Sequence, residues 1–315
     1  MQSIENYKSA FEAYLNQEHF SKEPAGLYEP VNYILRLGGK RLRPLLALMG
    51  RHVFADDFQP ALPVAMAVEL FHNFSLIHDD IMDEAPLRRG NPTVHHRFGL
   101  NSGILSGDVM LIYAQQYLLD AGDATLSARL LKSFNRCAIQ VCEGQQWDID
   151  FESMSLVSIP QYLHMIEYKT AVLLACSLEM GAMTAGASDT DLHHLYEFGR
   201  NLGIAFQLQD DFLDTFGDAG KFGKKPGGDI VQNKKTFLIL KALELADAPA
   251  KEKLTRLMNT PTNDEQEKIQ EVMAILRQFE VPVLAKEERN QFHRQAMAHL
   301  DQVSAPEAQK STLYQ

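Results

Sequence analysis

Apolar residues along the chain recur at intervals of three and four, marking one face of a helix over residues 5–20, 28–37, 42–54, 61–83, 103–121, 124–150, 159–186, 189–216, 233–247, 262–277 and 283–303. Alternating apolar–polar runs and Asn-Gly hairpin signals are scarce, so the expected fold class is all-α. Pro60 and Pro63 open the segment 61–83, Pro86 and Gly90 follow it, and Gly217 to Gly228 follow the segment ending at 216. No fixed-period repeat and no long biased linker interrupts the pattern, which predicts a single domain over residues 1–315.

Composition narrows the function. With 315 residues, 45% hydrophobic and 23% charged, the chain can bury a sizeable core. A formal charge of −11 argues against broad nucleic-acid binding, which depends on clustered Lys and Arg. Cys137, Cys142 and Cys176 are odd in number and show no Cys-x-x-Cys spacing, so neither a disulfide framework nor a zinc knuckle is expected, and a reducing cytoplasm is the simpler setting. The N-terminus lacks a basic start followed by an apolar run, as a secretion signal would have. The apolar stretch from Ala171 to Ala187 is interrupted by Glu179 and short for a bilayer span; it reads as a buried helix, and no integral membrane segment is expected.

The segment FHNFSLIHDDIMDEAPLRRG ends a long apolar helix with Asp79, Asp80, Asp83 and Glu84. Asp79 and Asp83 lie one turn apart on one face, where their charges repel unless a cation lies between them. They also sit towards a helix C-terminus, where the dipole disfavours negative charge. Hard divalent ions that also bind phosphate oxygens suit such a pair. A solvated acidic helix end has the same look. His78-Asp79 also admits an HD-type phosphohydrolase with His52 or His72 as an upstream ligand, and Glu69-x-x-His72 matches half of a di-iron bundle motif, without a second copy.

The arrangement recurs in GIAFQLQDDFLDTFGD as Asp210, Asp211 and Asp214, preceded by Gln207. Cations accompany both clusters: Lys40, Arg41 and Arg43 in GGKRLRP, Arg88 and Arg89 after the first cluster, Lys169-Thr170 between the clusters, and GKKPGGD and QNKKT, with Lys224 and Lys234, after the second. Two glycines before Lys40 let backbone approach an anion closely. A diphosphate would need this charge.

In this order, GGKRLRP, DDIMD followed by RRG, Gly107-Asp108, Gly144-Gln145, Lys169-Thr170, QDDFLD and GKKPGGD resemble the motifs of trans-isoprenyl diphosphate synthases from about residue 38 to residue 237. The resemblance implies antiparallel helices around a deep cavity with the two aspartate clusters facing each other across its mouth, usually as a homodimer. It implies Mg2+, three ions per active site, held by Asp79, Asp83 and Asp210 with Asp80, Asp211 and Asp214 in support. Arg88, Lys169, Gln207 and Lys224 would hold an allylic diphosphate (dimethylallyl, geranyl or farnesyl), with Lys234 as a further contact. Lys40, Arg43, His72 and Arg89 would hold isopentenyl diphosphate, and Thr170 and Gln207 would polarise the reacting site.

Product length in that family depends on bulk before the first cluster. Phe74 and Phe71 precede Asp79 by five and eight positions, rises of roughly 7.5 and 12 Å, and Ser75 is small. One aromatic at the fifth position without another beside it resembles geranylgeranyl diphosphate synthases, so a twenty-carbon product is favoured over a fifteen-carbon one. A terpene cyclase would carry a different second metal motif, and a catalytically silent subunit would show eroded clusters; both clusters are intact.

Overall fold

The structure, a computed structural model, describes residues 3–17, 20–217, 227–259 and 264–315. Its helices are α1 (Ile4–Gln17), α2 (Ala25–Arg36), α3 (Leu42–His52), α4 (Leu62–Met82), α5 (Val94–Phe98), α6 (Leu100–Leu119), α7 (Ala124–Ser153), α8 (Ile159–Ile166), α9 (Val172–Met183), α10 (Asp189–Phe216), α11 (Gly228–Val231), α12 (Phe237–Leu245), α13 (Ala248–Asn259), α14 (Glu265–Gln278), α15 (Val281–Gln302) and α16 (Glu307–Lys310). Among the described residues the only strands are β1 (Leu87–Arg88) and β2 (Asn91–Pro92), paired antiparallel. The fold is all-α, as the periodicity predicts.

Two compact units divide the chain. The first comprises residues 1–136, 176–196 and 302–315; the second comprises 137–175 and 197–301. In the first, α4 packs on α3 and α6, and Val64 to Val68, Leu70, Phe71 and Ile77 of α4 are buried. Residues 59–82 are long and apolar enough to cross a membrane by composition alone, but 67% of the most apolar window is buried within the protein. Among the described residues it is the one helix of that length and apolarity, and the stretch 171–187 is largely buried, as the sequence suggests.

Glycine sets one close crossing in the first unit. A Cβ at Gly50 would lie 3.1 Å from Leu178 Cα, and one at Gly181 would lie 2.8 Å from the Ala47 carbonyl carbon, so α3 and α9 meet backbone to backbone. The second unit has its own core, built on Tyr162, Ile166, Leu208, Phe237, Leu254, Val272 and Leu276.

Most expected helices stand within a turn of their sequence positions, with one informative break. The segment 159–186 is not one helix: α8 stops at Ile166, residues Glu167–Ala171 form a π turn, and α9 resumes at Val172. Apolar periodicity continues through it, so the pattern does not reveal the extra residue. Ser158 and Gln161 form a reciprocal capping box at the start of α8. The helix α13 is absent from the expectation because its sequence is polar and holds Pro249; only Leu254 and Met258, one turn apart, are buried.

Candidate active site

In the first unit the cationic and acidic motifs converge around the C-terminal end of α4. Arg89 (φ 53°) and Gly90 (φ 76°) turn the chain tightly between β1 and β2. That ribbon brings Arg88 back onto α4, where its Nε and Nη2 donate to Asp80 Oδ2 and Oδ1, each at 2.7 Å. Asp80 is buried, and this bidentate pair satisfies both of its oxygens. Asp79 is partly exposed and Asp83, the helix's C-cap, is exposed.

The sequence suggests that the glycines of GGKRLRP approach an anion; in the structure their close neighbour is a cation of the protein, Arg89. Arg89 donates to the Gly38 carbonyl, and a Cβ at Gly39 would sit 2.9 Å from the Arg89 guanidinium nitrogens. Arg43 lies 3.2 Å from His72 Nε2 through its Nη1. Burial and then the charges of Arg43, Arg89, Arg88 and Arg41 hold His72 well below its ordinary pKa, so the ring is neutral at pH 7. Lys40 is exposed.

Arg41 belongs elsewhere. It begins α3 in the left-handed conformation (φ 52°) and is buried, donating to Glu69 and to the Leu35 carbonyl, while Asn73 Nδ2 donates to Glu69 at 2.9 Å. Glu69 is consumed by this ion pair, which removes the carboxylate that a di-iron reading of Glu69-x-x-His72 needs.

His78 donates to or accepts from neither cluster in a metal-like set; its Nε2 lies 3.1 Å from the Ile104 carbonyl. Gly107 explains the Gly-Asp motif here, because a Cβ at that position would stand 2.7 Å from His78 Cδ2. From His78 a ladder of rings runs along α4: Phe74 at 4.8 Å between centroids, Phe71 a further 5.5 Å on, then Phe134 of α7 at 5.2 Å. Phe71 and Phe134 are buried and Phe74 is half-buried. Ser75 is half-buried and donates to the His72 carbonyl.

The second unit repeats the logic of the first. Asp211 is buried, receiving Tyr162 Oη on Oδ2 and Gln207 Nε2 on Oδ1 at 3.1 Å, while Asp210 is exposed. Asp214 accepts the Asp229 backbone N–H at 2.9 Å. Burial pushes the Asp211 carboxyl up to about 7; the Tyr162 bond opposes this, Asp229 adds to it, Gln207 opposes it and Asp210 adds to it. In each triplet the middle aspartate is thus held by protein donors and an outer one reaches solvent.

Lys169 and Thr170 occupy the π turn. Lys169 Nζ pairs with Asp148, and Thr170 Oγ1 donates to Gln207 Oε1 at 3.4 Å. π turns often mark functional sites because they re-aim side chains within a helix. Gly144 permits the turn: a Cβ there would lie 2.7 Å from the Tyr168 carbonyl carbon and 2.8 Å from Lys169 Cα. Lys234 is half-exposed, 3.9 Å from Asp229. Lys224 lies outside the described residues. Asp148 and Tyr162 are absent from the sequence expectation; their signals are only the spacings Gly144-x-x-x-Asp148 and Tyr162 seven residues before Lys169.

These carboxylates fit magnesium. Among the described residues no three His, Cys, Asp or Glu side chains form an enclosed metal cage. Open pairs of hard oxygen ligands suit an ion that keeps waters and phosphate oxygens in its shell. Burial first, and then the charges of Asp229 and Asp210, disfavour the ionised form of Asp211, a penalty that a bound cation relieves.

The profile of the family described as polyprenyl synthetase matches residues 24–276, and the chain belongs to that family. Within it, the chain is a short-chain trans-prenyltransferase. A short chain isoprenyl diphosphate synthase of Methanocaldococcus jannaschii is 39% identical over 80% of this chain and 76% of its own length. A geranylgeranyl diphosphate synthase of Sulfolobus acidocaldarius is 35% identical over 92% and 88%. A solved geranylgeranyl pyrophosphate synthase aligns with a TM-score of 0.95 and 43% identity over 99% of this chain and 96% of its own. Members of this family depend on magnesium and use isopentenyl and allylic diphosphates.

Proposed function

We propose that this enzyme condenses isopentenyl diphosphate head-to-tail with dimethylallyl, geranyl and farnesyl diphosphates and releases geranylgeranyl diphosphate. The observation that carries this reading is the pair of aspartate triplets, each with a protein-held middle carboxylate and an outer carboxylate open to solvent. Asp79, Asp83 and Asp210 are the proposed magnesium ligands, with Asp80, Asp211 and Asp214 orienting them, and three ions are proposed per active site. Magnesium, when bound, supplies positive charge to the departing diphosphate. Arg88, Lys169 and Gln207, with Lys224 and Lys234, are the proposed contacts of the allylic diphosphate.

Lys40, Arg43, His72 and Arg89 are the proposed contacts of isopentenyl diphosphate. A neutral His72 beside Arg43 contributes a donor without adding a charge to be desolvated. As the allylic C–O bond breaks, these fixed cations meet the charge that gathers on the leaving oxygen. The isopentenyl double bond then attacks the allylic cation, forming the new C–C bond, and the released diphosphate takes the proton that is lost. Apolar surroundings must keep water from the cation.

The ring ladder of Phe74, Phe71 and Phe134 supports a short product, since three aromatic rings in succession leave little depth beside α4. A homodimer is supported by α6, which exposes Leu105, Ile112 and Leu119 at seven-residue spacing, each about half exposed or more. We further propose that residues 1–315 work as one domain and that the enzyme is cytoplasmic. Incorporation of labelled isopentenyl diphosphate into organic-soluble product tests the activity. Asp79→Ala and Asp210→Ala should each abolish it, whereas an HD-type hydrolase would survive loss of Asp210.

A further inference from the structure

We propose that Tyr162 is a positioning residue for prenyl transfer: it fixes Asp211, and through Asp211 it holds the Gln207 amide with its oxygen, not its nitrogen, turned towards Thr170. The inference rests on the reading above, in which Thr170 and Gln207 border the reacting allylic carbon.

The geometry is a chain of four groups. Tyr162, on α8, is only 2% exposed and its hydroxyl donates to Asp211 Oδ2. Asp211 Oδ1 accepts Gln207 Nε2 at 3.1 Å, and Gln207 Oε1 accepts Thr170 Oγ1 at 3.4 Å. Asp211 Oδ1 receives the Gln207 NH2, and in its ionised form, with Tyr162 donating to the other oxygen, Asp211 can only accept. The carbonyl end therefore faces Thr170. The π turn that carries Thr170 begins at Glu167, directly after α8, so Tyr162 ties the element leading into that turn to α10.

The sign of the Gln207 dipole matters for the chemistry. Breaking the allylic C–O bond leaves positive charge on carbon, which an amide oxygen stabilises and an NH2 group opposes. Such a preorganised dipole acts when charge develops, so it appears in kcat more than in KM. Without the Tyr162 hydroxyl, a buried carboxylate oxygen loses its donor, and Asp211 is drawn towards other donors at the expense of its bond to Gln207. The Tyr162 ring itself packs in the core of the second unit, a role that phenylalanine fills equally well.

The test uses the full chain with magnesium, isopentenyl diphosphate and farnesyl diphosphate, measuring kcat, both KM values and thermal midpoint. Tyr162→Phe should lower kcat roughly tenfold to a hundredfold, the usual effect of losing a supporting hydrogen bond, with both KM values within about threefold. Asp211→Asn, which also disturbs the proposed magnesium ligands, should lower kcat at least as far, and at saturating magnesium the double variant should be no slower than Asp211→Asn alone. Wild-type kcat per folded molecule in Tyr162→Phe, or additive losses in the double variant, would overturn the proposal. Failure of the reading beneath it is distinguishable, because the wild-type enzyme would then form no prenyl product.

Discussion

Gly144→Ala is the sharpest probe of how the fold builds the site. The new methyl would lie 2.7 Å from the Tyr168 carbonyl carbon, 2.8 Å from Lys169 Cα and closer still to Lys169 N, all backbone atoms that no rotamer change can clear. Ordinary contact needs separations of about 3.5 Å or more, so the π turn must move by close to an ångström relative to α7. Overpacking of this kind costs about 1–3 kcal/mol, and the helix propensity of Ala over Gly returns about 1 kcal/mol. Net stability should therefore fall by no more than about 2 kcal/mol. Catalysis should suffer more, because an ångström of misplacement costs on the order of a hundredfold, here applied to Lys169 and Thr170. Steady-state incorporation of labelled isopentenyl diphosphate, alongside urea denaturation, separates the two effects. Gly26→Ala is the control: nothing lies within 4 Å of its Cβ position, so stability should rise slightly and activity should not change. Wild-type kcat in Gly144→Ala would refute the claim that close approach at this turn positions Lys169 and Thr170 for their proposed roles.

Other consequences can be checked alongside. Arg88→Lys keeps the charge but loses the two-pronged bond to buried Asp80; urea titration should show a loss of about 1–3 kcal/mol, with a fall in kcat/KM. Phe71→Ala and Phe74→Ala, assayed by chromatography of dephosphorylated products, should lengthen the chain, with the larger shift marking the floor. His72 has a folded pKa well below the ordinary 6.5, so the unfolded chain binds its proton first as pH falls. Stability from this group is complete above about pH 6.5 and declines as pH drops from there towards the folded value; His72→Gln should flatten that part of the stability–pH curve. Chelation with EDTA should abolish turnover and added magnesium should restore it.

The helical fold and both aspartate triplets are legible in the sequence because each depends on local spacing: apolar periodicity for α4 and α10, and Asp-Asp-x-x-Asp for the clusters they carry. What is not legible depends on partners distant in sequence. Asp80 and Asp211 look equivalent to their neighbours until Arg88 and Tyr162 are seen holding them. Arg41 looks like one more phosphate-binding cation, yet Glu69 and the Leu35 carbonyl claim it. The π turn is invisible because one extra residue per turn does not disturb the apolar pattern from Tyr162 to Met183, and Gly144, which gives it room, lies on another helix.

The most direct test of the account is the product itself. Purified enzyme with magnesium, excess labelled isopentenyl diphosphate and farnesyl diphosphate should yield geranylgeranyl diphosphate and stop there, one condensation beyond the primer. Absence of any prenyl product, or chains of thirty carbons and more, would contradict it.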